Sequence, residues 1–267
     1  MTKTLDIERR GAVTWVWMDR PQTHNAFDAD LIEELTQTLQ SIDDDDTVRV
    51  MVLAGRGKSF SAGADLNWMR SQGAASVEEN TRDARKLGDL FMLLGQLSKP
   101  VVARVHGAAM GGGMGLAAAC TVCVASTSAL FATSEVKLGL APCVISPYVL
   151  RAIGARQAQR YFLTAERISA HRAREIGLVH EVAGPDDLDA CVQNIVDALL
   201  NGGPLAQLAS MALIRDVAGL PVSDALVQET AERIARLRAT PEAREGLDAF
   251  LEKRPAHWQP PTTSGSR

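Results

Sequence analysis

The sequence of 267 residues lacks the features that would direct it to a membrane or to a nucleic acid. Its apolar stretches are all interrupted well before the ~18 residues that a membrane-spanning helix needs, and no apolar signal core follows Lys3. Acidic residues outnumber basic ones, 32 to 28, and aromatic residues make up only 4%, a composition that gives no support to nucleic-acid binding. We therefore expect a cytoplasmic protein whose partner is neither a membrane nor a nucleic acid.

Cysteine is also scarce, with four residues, and two of them form the motif Cys120-Thr-Val-Cys123. A CxxC pair can be redox-active or supply half of a zinc site, but no second Cys/Cys or His/His pair follows here at ligand spacing. The flanking residues are apolar, and buried free thiols behave as small apolar side chains. We predict that all four cysteines, including Cys143 and Cys191, are buried and structural, and we expect no metal site.

The first part of the chain alternates strand-like and helix-like patterns. Short segments rich in apolar and β-branched residues predict strands at 13–20, 48–55, 101–107 and 121–127. Helical spacing of apolar residues predicts two helices. The first begins near Asp28 or Asp30 and has its apolar residues at Leu31, Leu35, Leu39 and Ile42. The second ends at Lys99-Pro100 and has its apolar residues at Leu87, Leu90, Phe91, Leu94 and Leu97. Such alternation predicts an α/β domain, which we assign to residues 1–184.

The last part of the chain is helical in pattern throughout. Three amphipathic segments follow one another after residue 185, and a last helix is predicted to begin at Thr240-Pro241, a cap followed by proline at the first helical position. We assign residues 185–258 to a helical region. The final segment, QPPTTSGSR at 259–267, has the composition of a disordered tail.

A glycine run, Gly111 to Gly113 with Gly115 one position later, requires an explanation because glycine is costly to order. The run does not have the spacing of a dinucleotide fingerprint, and it lacks the GK[ST] ending of a P-loop. Close packing of two backbones remains one explanation. An oxyanion site is another, since a helix that begins here would present the unpaired amides of Gly112 and Gly113, with a second donor from the loop at 59–69.

Six segments together resemble the crotonase, or enoyl-CoA hydratase/isomerase, superfamily. They are MDRP…HNAFD (18–28), SFSAGADL (59–66), SKPVVARVHGAAMGGG (98–113), SEVKLGLAP (134–142), ISAHRAREIGLVHEV (168–182) and EGLDAFLEKRPAHW (245–258). The resemblance implies a spiral of β-β-α repeats with a C-terminal helical trimerisation region, and hence a homotrimer or a hexamer built as a dimer of trimers. It also implies an acyl-CoA thioester substrate, with no cofactor besides the coenzyme A of the substrate itself.

The resemblance assigns roles to individual residues. The amides of Ala64 and Gly112 match the two oxyanion donors, and Glu135 matches a catalytic acid–base. Ala62, Asp65 and Leu66 match the loop that lines the adenine of CoA, with Ala26 nearby; Leu140 is a candidate for the acyl pocket; Phe250 and Lys253 match positions near the CoA phosphates, reaching the ligand of a neighbouring subunit. Packing for Leu140 and a solvated helix end for Lys253 are the alternatives.

One acid is missing from the family's usual pair. Hydratases of this family use two glutamates, each worth roughly 10²–10⁴-fold in rate, and the first one follows the glycine run, where this chain has Gly115. Glu135 alone therefore suits either a hydratase, in which it acts through a positioned water with help from a substrate carboxylate, or an enoyl-CoA isomerase. A non-catalytic acyl-CoA-binding or RNA-binding protein is an alternative of another class.

Residues 134–182 suggest which substrate a hydratase of this sequence would take. This segment resembles the bacterial 3-methylglutaconyl-CoA hydratases of leucine degradation and the related isohexenylglutaconyl-CoA hydratases. Substrates of that kind carry a distal carboxylate, so we expect a cation near the acyl pocket, with Lys137, Arg151 and His106 as candidates. Trp68 and Tyr148 are further candidates for the wall of that pocket.

Overall fold

The computed structural model describes residues 3–260 and divides into two compact units, the first ending at Val196 and the second beginning at Asp197. The sequence patterns placed this division after residue 184. It lies later in the structure because the first part of the helix Leu188–Asn201 belongs to the first unit, where Leu188, Val192 and Val196 are buried. The predicted tail at 259–267 lies, from residue 261 onward, outside the described residues.

The described chain forms nine strands. They are β1 (Leu5–Arg10), β2 (Val13–Met18), β3 (Val50–Gly55), β4 (Val101–Val105), β5 (Ala108–Met110), β6 (Val122–Ser126), β7 (Leu130–Ala132), β8 (Ile168–Ser169) and β9 (Glu181–Ala183). Six of them form one sheet in the order β1-β2-β3-β4-β6-β9, in which only β1 and β2 pair antiparallel. The other three form a small sheet in the order β5-β7-β8. The predicted α/β class is therefore confirmed.

Ten α-helices accompany these strands in the described chain. They are α1 (Ala29–Asp44), α2 (Leu66–Gly73), α3 (Val77–Gln96), α4 (Gly112–Ala119), α5 (Ser146–Thr164), α6 (Ala170–Glu175), α7 (Leu188–Asn201), α8 (Pro204–Val217), α9 (Asp224–Arg238) and α10 (Pro241–Glu252). A single 3₁₀ turn over Glu135–Leu138 follows β7. From Asp197 onward the described elements are the end of α7 and the helices α8 to α10.

The helix ends follow from side-chain capping. Asp28 accepts a hydrogen bond from the amide of Leu31 and begins α1, as its position before the apolar repeat predicted. Thr240 caps α10 in the same way through the amide of Ala243. Ser76 and Glu79 form a reciprocal capping box at α3, so this helix begins ten residues before the first apolar residue, Leu87, that marked it in the sequence.

The cysteine predictions are partly wrong. Cys120 and Cys123 are buried, but Cys143 is exposed and Cys191 is half-buried, because Cys143 lies in a surface loop before α5 rather than in a packed element. Among the described residues, no group of His, Cys, Asp and Glu side chains has a geometry that could hold a metal ion. No helix in the described range is both long and apolar enough to cross a membrane.

Candidate active site

A cavity of about 300 Å³ lies in the first unit, beside the start of α4. Its walls come from the loop before α2, from α2 and α3, from the glycine run, and from residues 134–145. Most of the lining side chains are apolar, among them Trp68, Leu87 and Val144. Glu135 is the one carboxylate among the described lining residues.

The amide of Ala64 faces this cavity because of a short β-bridge with Phe27. The Phe27 amide donates to the carbonyl of Gly63 at 2.7 Å, and the Asp65 amide donates to the carbonyl of Phe27 at 2.8 Å. In a parallel bridge of this kind, the residue between the two bonded ones directs its own N–H away from the partner strand. Ala64 is that residue, and its amide makes no hydrogen bond to any described residue.

The amide of Gly112 is the first in α4 and has no partner within the helix. It makes no hydrogen bond to another described residue either, and the helix dipole adds partial positive charge at this end. The Gly111 amide is held by the carbonyl of Ala132 at 2.8 Å. Gly63 and Gly111 nearly touch, since a Cβ on Gly63 would lie 3.8 Å from the Gly111 Cα. The loops that carry Ala64 and Gly112 are thus neighbours.

The Glu135 carboxyl lies against the same glycine run. Its Oε1 is 3.1 Å from where a Cβ of Gly111 would be. Its Oε2 is buried and has no hydrogen-bond partner among the described residues. Burial raises the pKa of Glu135 above its ordinary value, although a hydrogen bond from its own amide partly opposes this. A carboxyl with a raised pKa and a free oxygen is suited to exchange protons with a bound molecule.

The space beside Gly115, where the resemblance expects the side chain of a first glutamate, is occupied by side chains from other parts of the chain. A Cβ at Gly115 would lie 2.4 Å from Cγ2 and 2.8 Å from Cβ of Ile145, and 3.0 Å from Cε1 of Phe91. Ile145 is only 3% exposed and also lines the cavity. The missing acid has therefore left no vacant space, because an apolar side chain occupies the place next to Gly115.

The predicted substrate-binding residues fall into two groups within the first unit. Ala62, Leu66 and Leu140 line the cavity, with Leu66 73% and Leu140 52% exposed. Asp65 and Ala26 do not line it. The Asp65 carboxylate caps α2 by accepting from the amides of Asn67 and Trp68, and Ala26 is buried.

Phe250 and Lys253 belong to the second unit. Phe250, near the end of α10, is 81% exposed. Lys253 follows α10 with a left-handed φ of 55°. A large exposed aromatic side chain beside a lysine is compatible with contact to another molecule, which is what the resemblance implies for this pair.

The candidate cations and pocket aromatics are only partly near the cavity. No lysine, arginine or histidine is among the described lining residues. His106 instead donates from Nε2 to the carbonyl of Gly57 at 2.9 Å, and burial lowers the pKa of its imidazole. Trp68 lines the cavity, whereas Tyr148 packs on Phe91 with ring centroids 5.5 Å apart.

Among the lining residues that the sequence did not single out for the site are Phe27 and Ile145. Phe27 lies inside the HNAFD motif, from which only Ala26 was assigned to the substrate, and Ile145 lies within the segment 134–182. Both are large apolar side chains, a type that usually signals core packing. Phe27 contacts Gly112, and Ile145 contacts Gly115. These residues are far apart in the chain, so no local sequence pattern could predict the contacts.

The α/β fold and the cavity beside the glycine run agree with the resemblance to the crotonase superfamily, and comparison with known proteins confirms that resemblance. The sequence profile of the enoyl-CoA hydratase/isomerase family matches residues 8–261. The chain belongs to this family.

Solved and characterised relatives cover nearly the whole chain. The crystal structure of an enoyl-CoA hydratase from Shewanella pealeana is 42% identical, covers 96% of each chain and superposes with a TM-score of 0.93. The short-chain-enoyl-CoA hydratase of Clostridium acetobutylicum is 34% identical over 93% of this chain and 94% of its own length. The crotonyl-CoA hydratase of Syntrophomonas wolfei is 33% identical over 94% of this chain and 96% of its own length.

Proposed function

We propose that this protein is an enoyl-CoA hydro-lyase in which Glu135 is the single acid–base. The observation that carries the proposal is the buried, unpartnered Oε2 of Glu135 in the same cavity as the unpaired amides of Ala64 and Gly112. The names of the relatives from Clostridium acetobutylicum and Syntrophomonas wolfei, both hydratases of enoyl-CoA thioesters, support the same reaction class.

The proposed reaction needs one carboxylate and two donors. The Glu135 carboxylate takes a proton from water as the water oxygen bonds to the β-carbon of the substrate. The π electrons move to the thioester oxygen, and the amides of Ala64 and Gly112 stabilise the enolate that forms. Losing one such donor costs ~3–4 kcal/mol of barrier. The enolate then collapses, and the α-carbon takes its proton from Glu135, which regenerates the carboxylate.

We also assign residues to the separate parts of the acyl-CoA substrate. Ala62 and Leu66 line the mouth of the cavity, and we assign them to the adenine side together with Ala26 and Asp65. Because the Asp65 side chain already caps α2, we assign its contact with CoA to the backbone. Leu140 is assigned to the acyl group, and Phe250 and Lys253 to the phosphates of CoA bound by a neighbouring subunit.

A neighbouring subunit is part of this proposal, as a homotrimer or a hexamer. Its support, besides the family resemblance, is the second unit's surface, where large apolar side chains are exposed. They are Leu205, Leu208, Ile214, Leu220, Val222, Val227, Ile234, Leu247, Phe250 and Leu251. Apolar surface of this kind is typical of a protein–protein contact. Sedimentation of a monomer at micromolar concentration would contradict it.

The finer proposal for the substrate is 3-methylglutaconyl-CoA, and its support is the resemblance of residues 134–182. A distal carboxylate needs a cationic partner, and no described lining residue supplies one. This substrate therefore requires a cation from outside the cavity wall, for example from a second subunit. An apolar enoyl chain makes no such demand on the pocket.

A second candidate function is enoyl-CoA isomerisation. The observation in its favour is that Glu135 is the one carboxylate among the described lining residues. One carboxylate suffices to take a proton from one carbon and return it to another, without any water. The same two amides would stabilise the enolate.

One experiment separates these possibilities. The protein is incubated with crotonyl-CoA, 3-methylglutaconyl-CoA and 3-hexenoyl-CoA, and the products are followed by mass spectrometry. Hydration adds the mass of one water. Isomerisation converts 3-hexenoyl-CoA into 2-hexenoyl-CoA of the same mass, so these two esters are separated by chromatography before their masses are measured. Glu135→Gln is expected to lower turnover by roughly 10²–10⁴-fold. Glu166→Gln is the matched control, because Glu166 pairs with Arg160 on the surface and exposed pairs contribute little. Nearly full hydration by Glu135→Gln would refute the assignment.

A further inference from the structure

Phe27 contacts the segments that carry both proposed donors. Through its backbone it bonds to Gly63 and Asp65 on either side of Ala64. Through its ring it lies against α4, since Cε2 is 2.8 Å and Cδ2 is 3.1 Å from where a Cβ of Gly112 would be. The residue is 1% exposed and lines the cavity.

The two contacts differ in kind. The backbone bridge directs the Ala64 amide and does not depend on the side chain at position 27. The ring contact depends entirely on the side chain, and it is possible only because glycine at position 112 leaves the helix backbone uncovered. An aromatic ring has few rotatable bonds and keeps a fixed shape. The Phe27 backbone, bonded to the Ala64 loop, and the Phe27 ring, packed on α4, therefore connect the two amide-bearing segments through one residue.

Such a separation matters for an oxyanion site. Two amides stabilise one oxygen only when both reach it at hydrogen-bond distance, and functional geometry of this kind has to be held within roughly 0.5 Å. The Ala64 loop and the first turn of α4 are distant in sequence, so their spacing depends on contacts between the two segments. A backbone bridge between Ser61 and Ala109 is one such contact, and side-chain packing supplies the others. Phe27 touches both sides, with its backbone bonded to the Ala64 loop and its ring packed against the first turn of α4.

We propose that Phe27 is a positioning residue that holds the Ala64 and Gly112 amides at the separation at which both bind one thioester oxygen. The inference rests on the proposed function, because it takes these amides as the oxyanion donors. It assigns to the Phe27 ring a role in the alignment of the Gly112 amide, whereas the Ala64 amide is aligned by the backbone.

The test compares Phe27→Leu and Phe27→Ala with wild type and with Phe131→Leu. Phe131 is a matched control because it is equally buried, on β7, and is not among the lining residues. The first measurement is the infrared stretching frequency of an isotope-labelled thioester carbonyl in bound butyryl-CoA, a saturated ester that cannot be hydrated. The second is the pair of constants kcat and KM for crotonyl-CoA, and the third is Tm.

We expect the wild-type carbonyl band to lie below that of free butyryl-CoA, and the Phe27→Ala band to move back towards the free value, with Phe27→Leu between them. For crotonyl-CoA we expect kcat to fall roughly 10–100-fold at nearly unchanged KM, since a misplacement of 1 Å can cost about 10²-fold. Phe131→Leu is expected to lower Tm while leaving the carbonyl band in place. Because Phe27→Leu removes little volume, it provides a folded variant if Phe27→Ala unfolds.

The outcomes separate this inference from the proposed function. An unshifted carbonyl band in the wild-type complex would refute the oxyanion role of the cavity itself. A shifted wild-type band that stays in place in both Phe27 variants would leave the oxyanion role standing and overturn the role of Phe27. The carbonyl measurement requires binding only, so it tests Phe27 whether the wild-type protein hydrates crotonyl-CoA or isomerises another substrate.

Discussion

The packing of Gly115 allows a quantitative prediction for Gly115→Ala. The added Cβ would meet Cγ2 of Ile145 at 2.4 Å and Cε1 of Phe91 at 3.0 Å. Overpacking a core costs ~1–3 kcal/mol, and this contact belongs at the upper end because the β-branched Ile145 is stiff at χ1. Alanine in a helix interior returns about 1 kcal/mol relative to glycine. We therefore expect a net loss of about 2 kcal/mol.

Thermal and urea unfolding measure this loss. About 2 kcal/mol corresponds to a Tm lower by roughly 4–8 °C in a domain of 150–250 residues. Gly88→Ala is the matched control: Gly88 also lies within a helix, α3, but a Cβ there meets nothing within 4 Å. The control is expected to gain up to about 1 kcal/mol.

A second background makes the test specific to Ile145. In Ile145→Gly, the two closest contacts with position 115 are gone and only the one with Phe91 remains. In this background, Gly115→Ala is expected to lower the free energy of unfolding by less than about 1 kcal/mol. If the two positions were independent, its effect would be the same as in wild type to within ~0.5 kcal/mol. Strict additivity, or a Gly115→Ala variant as stable as Gly88→Ala, would refute the packing argument.

Further predictions concern ionisation and access. Hydration requires the Glu135 carboxylate, and burial raises the pKa of this group above its ordinary value of 4.5. As the pH is lowered, kcat is therefore expected to begin to fall before pH 4.5 is reached. A kcat that is still constant down to pH 4.5 would contradict this. The native protein binds the Glu135 proton more tightly than the unfolded chain does, so wild type is expected to lose stability relative to Glu135→Gln as pH rises from 4.5 through the raised native pKa, and a pH-independent difference in urea unfolding would be inconsistent with it. Iodoacetamide at neutral pH is expected to alkylate the exposed Cys143 first, while Cys120 and Cys123 stay unmodified because burial raises their thiol pKa, that of Cys123 to about 12; peptide mapping that finds equal rates would exclude this.

Much of the fold could be predicted from local patterns. The strand expected at 48–55 is β3, because a continuous apolar run forms a strand that is buried on both faces. The helix expected after Asp28 is α1, because its apolar residues recur at helical spacing and are buried. The early part of α3 was not predicted, since the segment from Val77 to Lys86 is polar and has no apolar period. Its formation depends on the capping box at Ser76.

The candidate site was predicted less completely, for a physical reason. Ala64, Gly112 and Glu135 stand in motifs, and the structure brings them to one cavity. Phe27 and Ile145 act through contacts with glycines far away in the chain. A missing Cβ is visible in the sequence, but the side chain that fills its place becomes apparent only when the backbone is folded.

The fitted contact between Gly115 and Ile145 also constrains how this chain can change over generations. A glutamate regained at position 115 alone would collide with Ile145 and Phe91, and a small residue gained at position 145 alone would open a costly cavity. Each single substitution is therefore expected to destabilise the fold unless the other accompanies it. A second acid at position 115 thus requires substitutions at both positions. We expect variants of this protein to keep Glu135 and Ile145 and to differ at the residues around them.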